Sequence, residues 1–201
     1  MHPPIFVSGP HGGGKSTLIK SLISSKNNMF IENNFDIDFT TDFPSIANLS
    51  SFERSLIRLY HRFFIANYAN VIAIKNPIRI ILTDRTIYDS EAYINVYRKL
   101  KWISDKEFQK LDFILNNFTS RPYAIILNPP VDVIKNRLRK RREAATRTMR
   151  DKIFLREDSD EFIELLWKQF RKFKEYPKVL YIEDNGNKQI QKIVSWAKNL
   201  K

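Results

Sequence analysis

The 201 residues, 43% of them hydrophobic, suffice for one buried core and are short for two, so a single domain over 1–201 is expected. The absence of Cys excludes disulfides, thiolate nucleophiles and cysteine zinc sites, and three scattered His form no metal cluster, so any metal is expected to arrive with a substrate. A formal charge of +12 predicts attraction to polyanions, nucleotides and nucleic acid alike, while the lack of an apolar run of ~18 residues or of an export leader makes a cytoplasmic location the expectation.

Ile5-Phe6-Val7 reads as a short buried strand, and Leu18, Ile19, Leu22 and Ile23 recur at helical spacing. Between them Gly9-Pro10-His11-Gly12-Gly13-Gly14-Lys15-Ser16-Thr17 satisfies G-x-x-x-x-G-K-[ST], in the strand, loop, helix order that confirms a P-loop. Glycines let successive backbone N–H groups turn toward phosphate oxygens, where side chains would block the approach. Gly9, His11, Gly12, Gly13, Gly14, Lys15, Ser16 and Thr17 are therefore the expected ATP-binding residues, with Lys15 directed at the β- and γ-phosphates and the Ser16 hydroxyl at Mg²⁺. Four of the chain's five Gly fall in this loop, which argues against a chance turn.

Met29 to Glu32 forms a second candidate strand that ends in a carboxylate. Residues 33–51, with Asp36, Asp38 and Asp42 among Phe and Thr, show no period and read as a substrate-side loop. Phe52, Leu56, Leu59, Phe63 and Ala66 mark a long helix, with Arg54, Arg58 and Arg62 on another face. Arg54 and Arg58 read most simply as solvated. After Pro77, the apolar, β-branched run Ile78 to Thr83 predicts a strand buried on both faces. It stops at Asp84-Arg85, and the carboxyl end of a central parallel strand is where open α/β sheets bind ligands.

A helix is predicted from Thr86 to about Leu100, with Tyr93, Val96, Tyr97 and Leu100 inward, and another from the N-cap Ser104, with Glu107 three residues on, to about Phe118. Tyr123 to Leu127 is the fourth strand, closed by Pro129-Pro130, and Val131, Ile134 and Leu138 carry a helix into the most basic segment of the chain. Phe162, Leu165, Leu166, Phe170 and Phe173 describe an amphipathic helix, Val179 to Ile182 a fifth strand, and Ile190, Ile193, Val194, Ala197 and Leu200 a closing helix. Strands alternate with helices, so the fold class is α/β, a P-loop NTPase fold with a five-stranded, mainly parallel sheet and helices on both faces. No repeat or disordered linker interrupts it, and Trp102, Trp167 and Trp196 read as packing residues.

Arg137, Arg139, Lys140, Arg141, Arg142, Arg147 and Arg150 would repel one another if packed, so residues 137–150 read as a basic lid that orders over ATP. Arg137 and Arg141 are assigned to ATP and Arg142 to the transferred phosphoryl group, with the choice among the lid arginines open. A solvated helix face and a nucleic-acid patch are the alternatives.

The segment Asp84-Arg85-Thr86-Ile87-Tyr88-Asp89-Ser90-Glu91-Ala92-Tyr93 resembles the central signature of the thymidylate kinase family, Asp-Arg-Tyr, then Ser, then Ala-Tyr-Gln, with the spacing to Ala92-Tyr93 preserved. Gly12-x-Gly14-Lys15 matches that family's loop, Arg62 falls close to its substrate-contacting Arg, and Arg137-Leu138-Arg139-Lys140-Arg141 resembles the start of its lid. The departures fall on the acceptor side: His11 stands where an acid is usual, Arg-Glu-Pro-Gly-Gly is missing around Glu32, Thr86 replaces Tyr and Ile94 replaces Gln. Deoxynucleoside kinases resemble the chain almost as closely. Their Glu-Arg-Ser corresponds to Asp84-Arg85-Thr86, their arginine-rich lid to Arg137 through Arg142, and the Glu that deprotonates their acceptor hydroxyl to Glu32.

The resemblance implies an ATP- and Mg²⁺-dependent nucleoside or nucleotide kinase, with dTMP as acceptor by the first pattern and a deoxynucleoside by the second. A polynucleotide 5′ end is a third acceptor, and a nucleic-acid-stimulated ATPase is a reading of another class. Lys15, Asp84, Arg85 and Arg142 are then the catalytic residues, Ser16 and Asp84 the metal residues, and Glu32, Arg62, Arg85 and Tyr93 the acceptor residues. The guanidinium fork of Arg85 suits two phosphate oxygens at once, a structural ion pair with a nearby carboxylate being the alternative. Relatives in the thymidylate kinase family are commonly homodimers, although no exposed apolar stripe is legible in the sequence.

Overall fold

A computed structural model describes residues 1–25, 28–33, 44–117, 121–144, 154–184 and 186–200, apart from the side chain of Asn187. Five short apolar runs become strands: Ile5–Ser8 (β1), Phe30–Glu32 (β2), Ile80–Asp84 (β3), Tyr123–Leu127 (β4) and Val179–Ile182 (β5). They form one sheet in the order β2-β3-β1-β4-β5, every pairing parallel. The register sets Val7 beside Asp84 and Glu32 beside Leu82, so the loops leaving β1, β2 and β3 share one edge of the sheet.

The helices are Lys15–Ser24 (α1), Ser51–Lys75 (α2), Ile87–Lys99 (α3), Asp105–Asn116 (α4), Val131–Glu143 (α5), Asp160–Arg171 (α6) and Asn187–Lys198 (α7). Short 3₁₀ turns occupy Pro44–Asn48, Leu155–Asp158 and Lys172–Glu175. Local chemistry fixes several starts. Reciprocal capping boxes pair Ser50 with Glu53 before α2, Thr86 with Asp89 before α3 and Ser104 with Glu107 before α4. Thr86 is thus a cap, and not the first helical residue. β3 begins two residues later than predicted, because Arg79 N–H closes a turn on the Asn76 carbonyl and leaves Ile78 86% exposed.

The period-2 alternation of the strands feeds two cores. On one face Ile5, Val7, Leu82, Ile125 and Leu127 meet Leu18, Ile19 and Leu22 of α1 and Ile193 and Ala197 of α7. On the other, Ala124 and Ile126 are covered by α3, α5 and α6 through residues such as Tyr88, Ile134, Leu166 and Phe170, while Ile65, Ala69 and Ala73 of α2 cover Phe6 and Ile81. Helices on both faces of a parallel sheet match the expected class. Among the described residues, no helix is long and apolar enough to cross a membrane.

Helix α2 differs from expectation. Its buried line runs through Ser51, Ser55, Leu59, Ile65, Ala69 and Ala73, whereas Phe52, Leu56, Phe63 and Ala66 are only half-buried. Small residues bring the helix close to its neighbours and turn the larger ones outward. Ile57, Tyr60, Phe64, Tyr68, Val71 and Ile74 therefore form an exposed apolar stripe at steps of three or four residues.

Candidate active site

At the end of β1 the chain turns through residues 9–14 into α1. Gly9 takes φ 147°, and a Cβ there would stand 2.1 Å from the Leu127 carbonyl oxygen of neighbouring β4, so only glycine allows the approach. Lys15 is buried, and its Nζ donates to the carbonyls of Gly9 (2.9 Å) and Pro10 (3.0 Å), which draws the loop around the ammonium. Ser16 and Thr17 stand exposed in the first turn of α1, where backbone N–H groups and the helix dipole favour an anion. Arg137 of α5 grips the loop from outside, donating to the Gly13 carbonyl at 2.8 Å and to that of Gly12 at 3.4 Å.

Asp84 closes β3 with its side chain exposed, one strand from the loop, and Arg85 N–H donates to the Val7 carbonyl at 2.8 Å. Arg85 holds φ 69°, a left-handed conformation that costs a non-glycine residue about 1–2 kcal/mol. Its guanidinium lies 3.5 Å from Asp89, so the ion-pair reading of this residue is partly realised. Burial works against the charge, but Tyr93, Asp89 and Asp84 outweigh it and hold Arg85 above the ordinary guanidinium range. Burial and then the like charge of Arg85 pull Arg62 down to about 10, with Asp89 and Asp84 opposing. Two guanidinium groups thus converge near two carboxylates at a strand end, an arrangement suited to further negative charge.

A layer of buried polar groups lies beneath. His11 turns its side chain inward: Nδ1 is 2.6 Å from the Tyr93 hydroxyl and Nε2 is 3.0 Å from Asp158 Oδ1. Any contribution of His11 to phosphate binding is therefore through the backbone. Next to this, Arg58 donates to the Tyr97 hydroxyl at 2.7 Å and to Glu157 at 3.4 Å, and the Tyr97 hydroxyl donates to Glu157 at 2.6 Å. Tyr97 is pushed well above the usual phenol range, by burial first, with Glu157 adding and Arg58 opposing. The expectation that Arg54 and Arg58 are solvated is overturned, because residues 154–158 fold against α2. Arg58 lies over the Phe154 ring at 4.9 Å and Arg54 at 5.4 Å, with Arg54 also bonded to Ser51. Glu157 and Asp158 are the residues that sequence reasoning missed, the available signal being a pair of acids beside the basic segment, flanked by Phe154 and Phe162; Tyr97 is buried as predicted, and only its polar partners were not foreseen.

Glu32 is exposed at the end of β2, and Asn33 after it is fixed by its N–H to the Leu82 carbonyl at 2.8 Å. The P-loop, Asp84-Arg85 and Glu32 consequently follow three adjacent strands. Arg141 and Arg142 lie exposed in the last turn of α5, whereas lid residues 145–150, including Arg147 and Arg150, fall outside the described residues, as do Asp36, Asp38, Asp42 and Phe118. Among the described residues no three His, Cys, Asp or Glu gather as a metal site. The Ser16 hydroxyl and the Asp84 carboxylate are hard oxygen donors on neighbouring elements, a set that fits Mg²⁺ arriving with phosphates. The tryptophans pack as expected: Trp102 stacks on Phe162 at 5.3 Å, Trp167 N–H donates to the Pro129 carbonyl at 3.0 Å, and Trp196 meets Tyr123 at 6.2 Å.

The family described as Deoxynucleoside kinase matches residues 5–195. No curated protein is matched by the sequence. Among solved structures, deoxyadenosine kinase from M. mycoides with the products dCMP and a flexible dCDP bound gives a TM-score of 0.68 at 19% identity, covering 98% of this chain and 100% of that one. The same enzyme with dATP bound gives 0.64 at 19%, over 99% and 100%, and with dCTP bound 0.67 at 20%, over 98% and 100%. These identities bear on the fold alone. The family match corrects the thymidylate kinase reading of Asp84 to Tyr93 in favour of the deoxynucleoside kinase one. The physical counterpart is that His11, at the position where thymidylate kinases usually carry an acid, is taken up by Tyr93 and Asp158.

Proposed function

The chain belongs to the deoxynucleoside kinase family, an ATP-dependent nucleoside kinase, and we propose that it transfers the γ-phosphoryl group of ATP to the 5′-hydroxyl of a 2′-deoxynucleoside. One observation carries this reading: the loops after β1, β3 and β2 bring the P-loop, Asp84-Arg85 and Glu32 to one edge of the sheet, in that spatial order. Donor phosphates, the transferred group and the acceptor hydroxyl need the same linear order.

In this reading Lys15, Thr17 and the N–H groups of residues 9–14 hold the ATP phosphates. Ser16 and Asp84 would hold Mg²⁺ arriving with ATP, and the ion would screen phosphate charge there. Arg85 and Arg62 hold oxygens between donor and acceptor, where a planar fork grips two at once. Arg137 keeps the loop shaped through its carbonyls, and Arg141 and Arg142 bring positive charge over the donor. Glu32 takes the proton from the attacking hydroxyl, its exposed carboxylate being the acid at the end of β2. Deoxyadenosine and deoxycytidine head the acceptors, because the similar M. mycoides enzyme is solved with dATP, dCTP and dCMP.

A second copy of the chain is the proposed occupant of the α2 stripe. From Ile57 to Ile74 the stripe runs about 26 Å at 1.5 Å per residue, and a stripe of this kind pairs with itself about a two-fold axis. Light scattering of wild type and Phe64→Glu tests it, with a dimer that becomes a monomer as the expected result.

For the catalytic assignment the test is Glu32→Gln. Formation of the deoxynucleoside 5′-monophosphate should fall about 10²- to 10⁴-fold with unchanged ATP binding. A rate within threefold of wild type sinks the assignment of Glu32.

A further inference from the structure

We propose that a cavity at the amino edge of the sheet is a second anion site, one that takes a phosphate monoester with a small apolar body. The cavity holds about 220 Å³ and is walled by α2, the start of α3 and the leading residues of β1, β4 and β5. Pro3 and Pro4 precede β1, Tyr123 opens β4 and Lys178 precedes β5, so in this parallel sheet the cavity reaches the end away from the P-loop. A bound water needs only about 10–15 Å³ of such space, which leaves room here for a small molecule.

Charge selects the ligand. Among the described residues three cations line the cavity, Arg62, Arg121 and Lys178, and no carboxylate does. Arg121 is neutralised by its ion pair with Glu91 and held over the rings of Tyr88 at 5.4 Å and Tyr176 at 5.5 Å. Arg62 and Lys178 make no ion pair with the described residues, so two positive charges remain for a dianion. Lys178 Nζ lies 5.5 Å from the centre of the Tyr123 ring, which keeps the ammonium at the wall. An anion beside Arg62 would also offset the repulsion from Arg85 that lowers its affinity for a proton. The remaining wall is largely apolar, with Phe6, Ala66, Ile87 and Pro122 among it. Cations for the phosphoryl oxygens and an apolar wall for a ring together match a phosphate ester better than a free ion. Arg62, Ala66 and Asn70 follow at four-residue steps on one face of α2 and span about 12 Å at 1.5 Å per residue. Arg62 therefore belongs both to the cavity and to the acceptor side, and an anion in the cavity competes for its guanidinium. This coupling rests on the functional reading above; the anion site itself does not.

The test begins with binding. Phenyl phosphate and, separately, inorganic phosphate are titrated by calorimetry into Lys15→Ala protein, in which the P-loop is disabled. Phenyl phosphate should bind once per chain and about fivefold or more tighter than inorganic phosphate, because only the ester has a ring to bury. Lys178→Glu, added to that background, should weaken phenyl phosphate about tenfold or more by placing a like charge in the wall. Ala66→Leu narrows the cavity without changing its charge and should have the same effect, so either variant decides the matter if the other does not fold. Absence of binding, equal affinity for the two anions, or binding that the folded variants leave untouched refutes the proposal. In turnover with Lys15 intact and ATP saturating, phenyl phosphate should inhibit the wild type at concentrations about tenfold lower than those needed for Lys178→Glu. Equal inhibition of both proteins overturns the coupling through Arg62. If the wild type phosphorylates no deoxynucleoside while phenyl phosphate binds as described, the functional reading fails and the anion site stands.

Discussion

Glu157→Ala is the sharpest perturbation of the buried layer below the site. Glu157 is 2% exposed and accepts from the Tyr97 hydroxyl at 2.6 Å and from Arg58 at 3.4 Å, with the Arg58 side chain 20% exposed. Truncation removes the carboxylate and leaves the Arg58 cation and the Tyr97 hydroxyl to each other. Breaking a buried ion pair from one side costs about 3–5 kcal/mol. Arg58 keeps some access to water, which places the expected loss near the lower end, about 3 kcal/mol. For a domain of this size that corresponds to a drop of roughly 6–12 °C in Tm. Glu157→Gln, which keeps an acceptor for Tyr97 and loses the charge, should lie between wild type and Glu157→Ala. Urea and thermal unfolding of the three proteins read the effect. A change below about 0.5 kcal/mol for Glu157→Ala, the range of ordinary surface substitutions, would refute the docking of residues 154–158 against α2.

Burial, then Arg62, holds the His61 imidazole down at about 4 against an ordinary 6.5. The unfolded chain therefore takes up a proton below pH 6.5 that the folded one refuses until about 4, and stability present above 6.5 is lost across that window, by at most about 3 kcal/mol. Urea midpoints from pH 7 down to pH 4 should fall more steeply for wild type than for His61→Leu, and parallel curves contradict the assignment. Gly9→Ala forces a Cβ to within 2.1 Å of a backbone oxygen at φ 147°, so ATP binding by calorimetry should be lost and stability should drop by roughly 1–3 kcal/mol; an unaltered Kd for ATP would show the loop reading to be wrong. Lys15→Ala removes the ammonium that gathers the Gly9 and Pro10 carbonyls, and phosphoryl transfer should fall about 10²- to 10³-fold. A transfer rate within threefold of wild type speaks against its role.

What was legible in the sequence was local. The runs Tyr123–Leu127 and Val179–Ile182 are strands at the predicted bounds, because continuous apolar stretches between breakers allow little else. The Ser104 and Glu107 capping box formed as read, since its partners are three residues apart. Helix α2 misled for a physical reason: Leu59 is buried as predicted, but the rest of its inward line uses Ser51, Ser55, Ile65, Ala69 and Ala73, so Phe52, Leu56 and Phe63 mark a half-buried flank instead. Arg58 and Glu157 are 99 residues apart, and no periodicity announces such a pair. His11 occupies a free position of the loop pattern, so the motif gives no hint that its ring belongs to Tyr93 and Asp158. The acceptor class was ambiguous for a related reason. Asp84-Arg85-Thr86 is compatible with two kinase patterns, and the two diverge at positions where this chain follows neither closely.

The central claim is tested most directly by MgATP-dependent transfer to the four deoxynucleosides, dTMP and a 5′-hydroxyl oligonucleotide, with Lys15→Ala as control and each product identified by mass. The account predicts a deoxynucleoside 5′-monophosphate, abolished in the control, with dTMP and the oligonucleotide left unphosphorylated. Conversion of dTMP to dTDP with every deoxynucleoside untouched, or ATP hydrolysis that responds to polynucleotide alone, would contradict it.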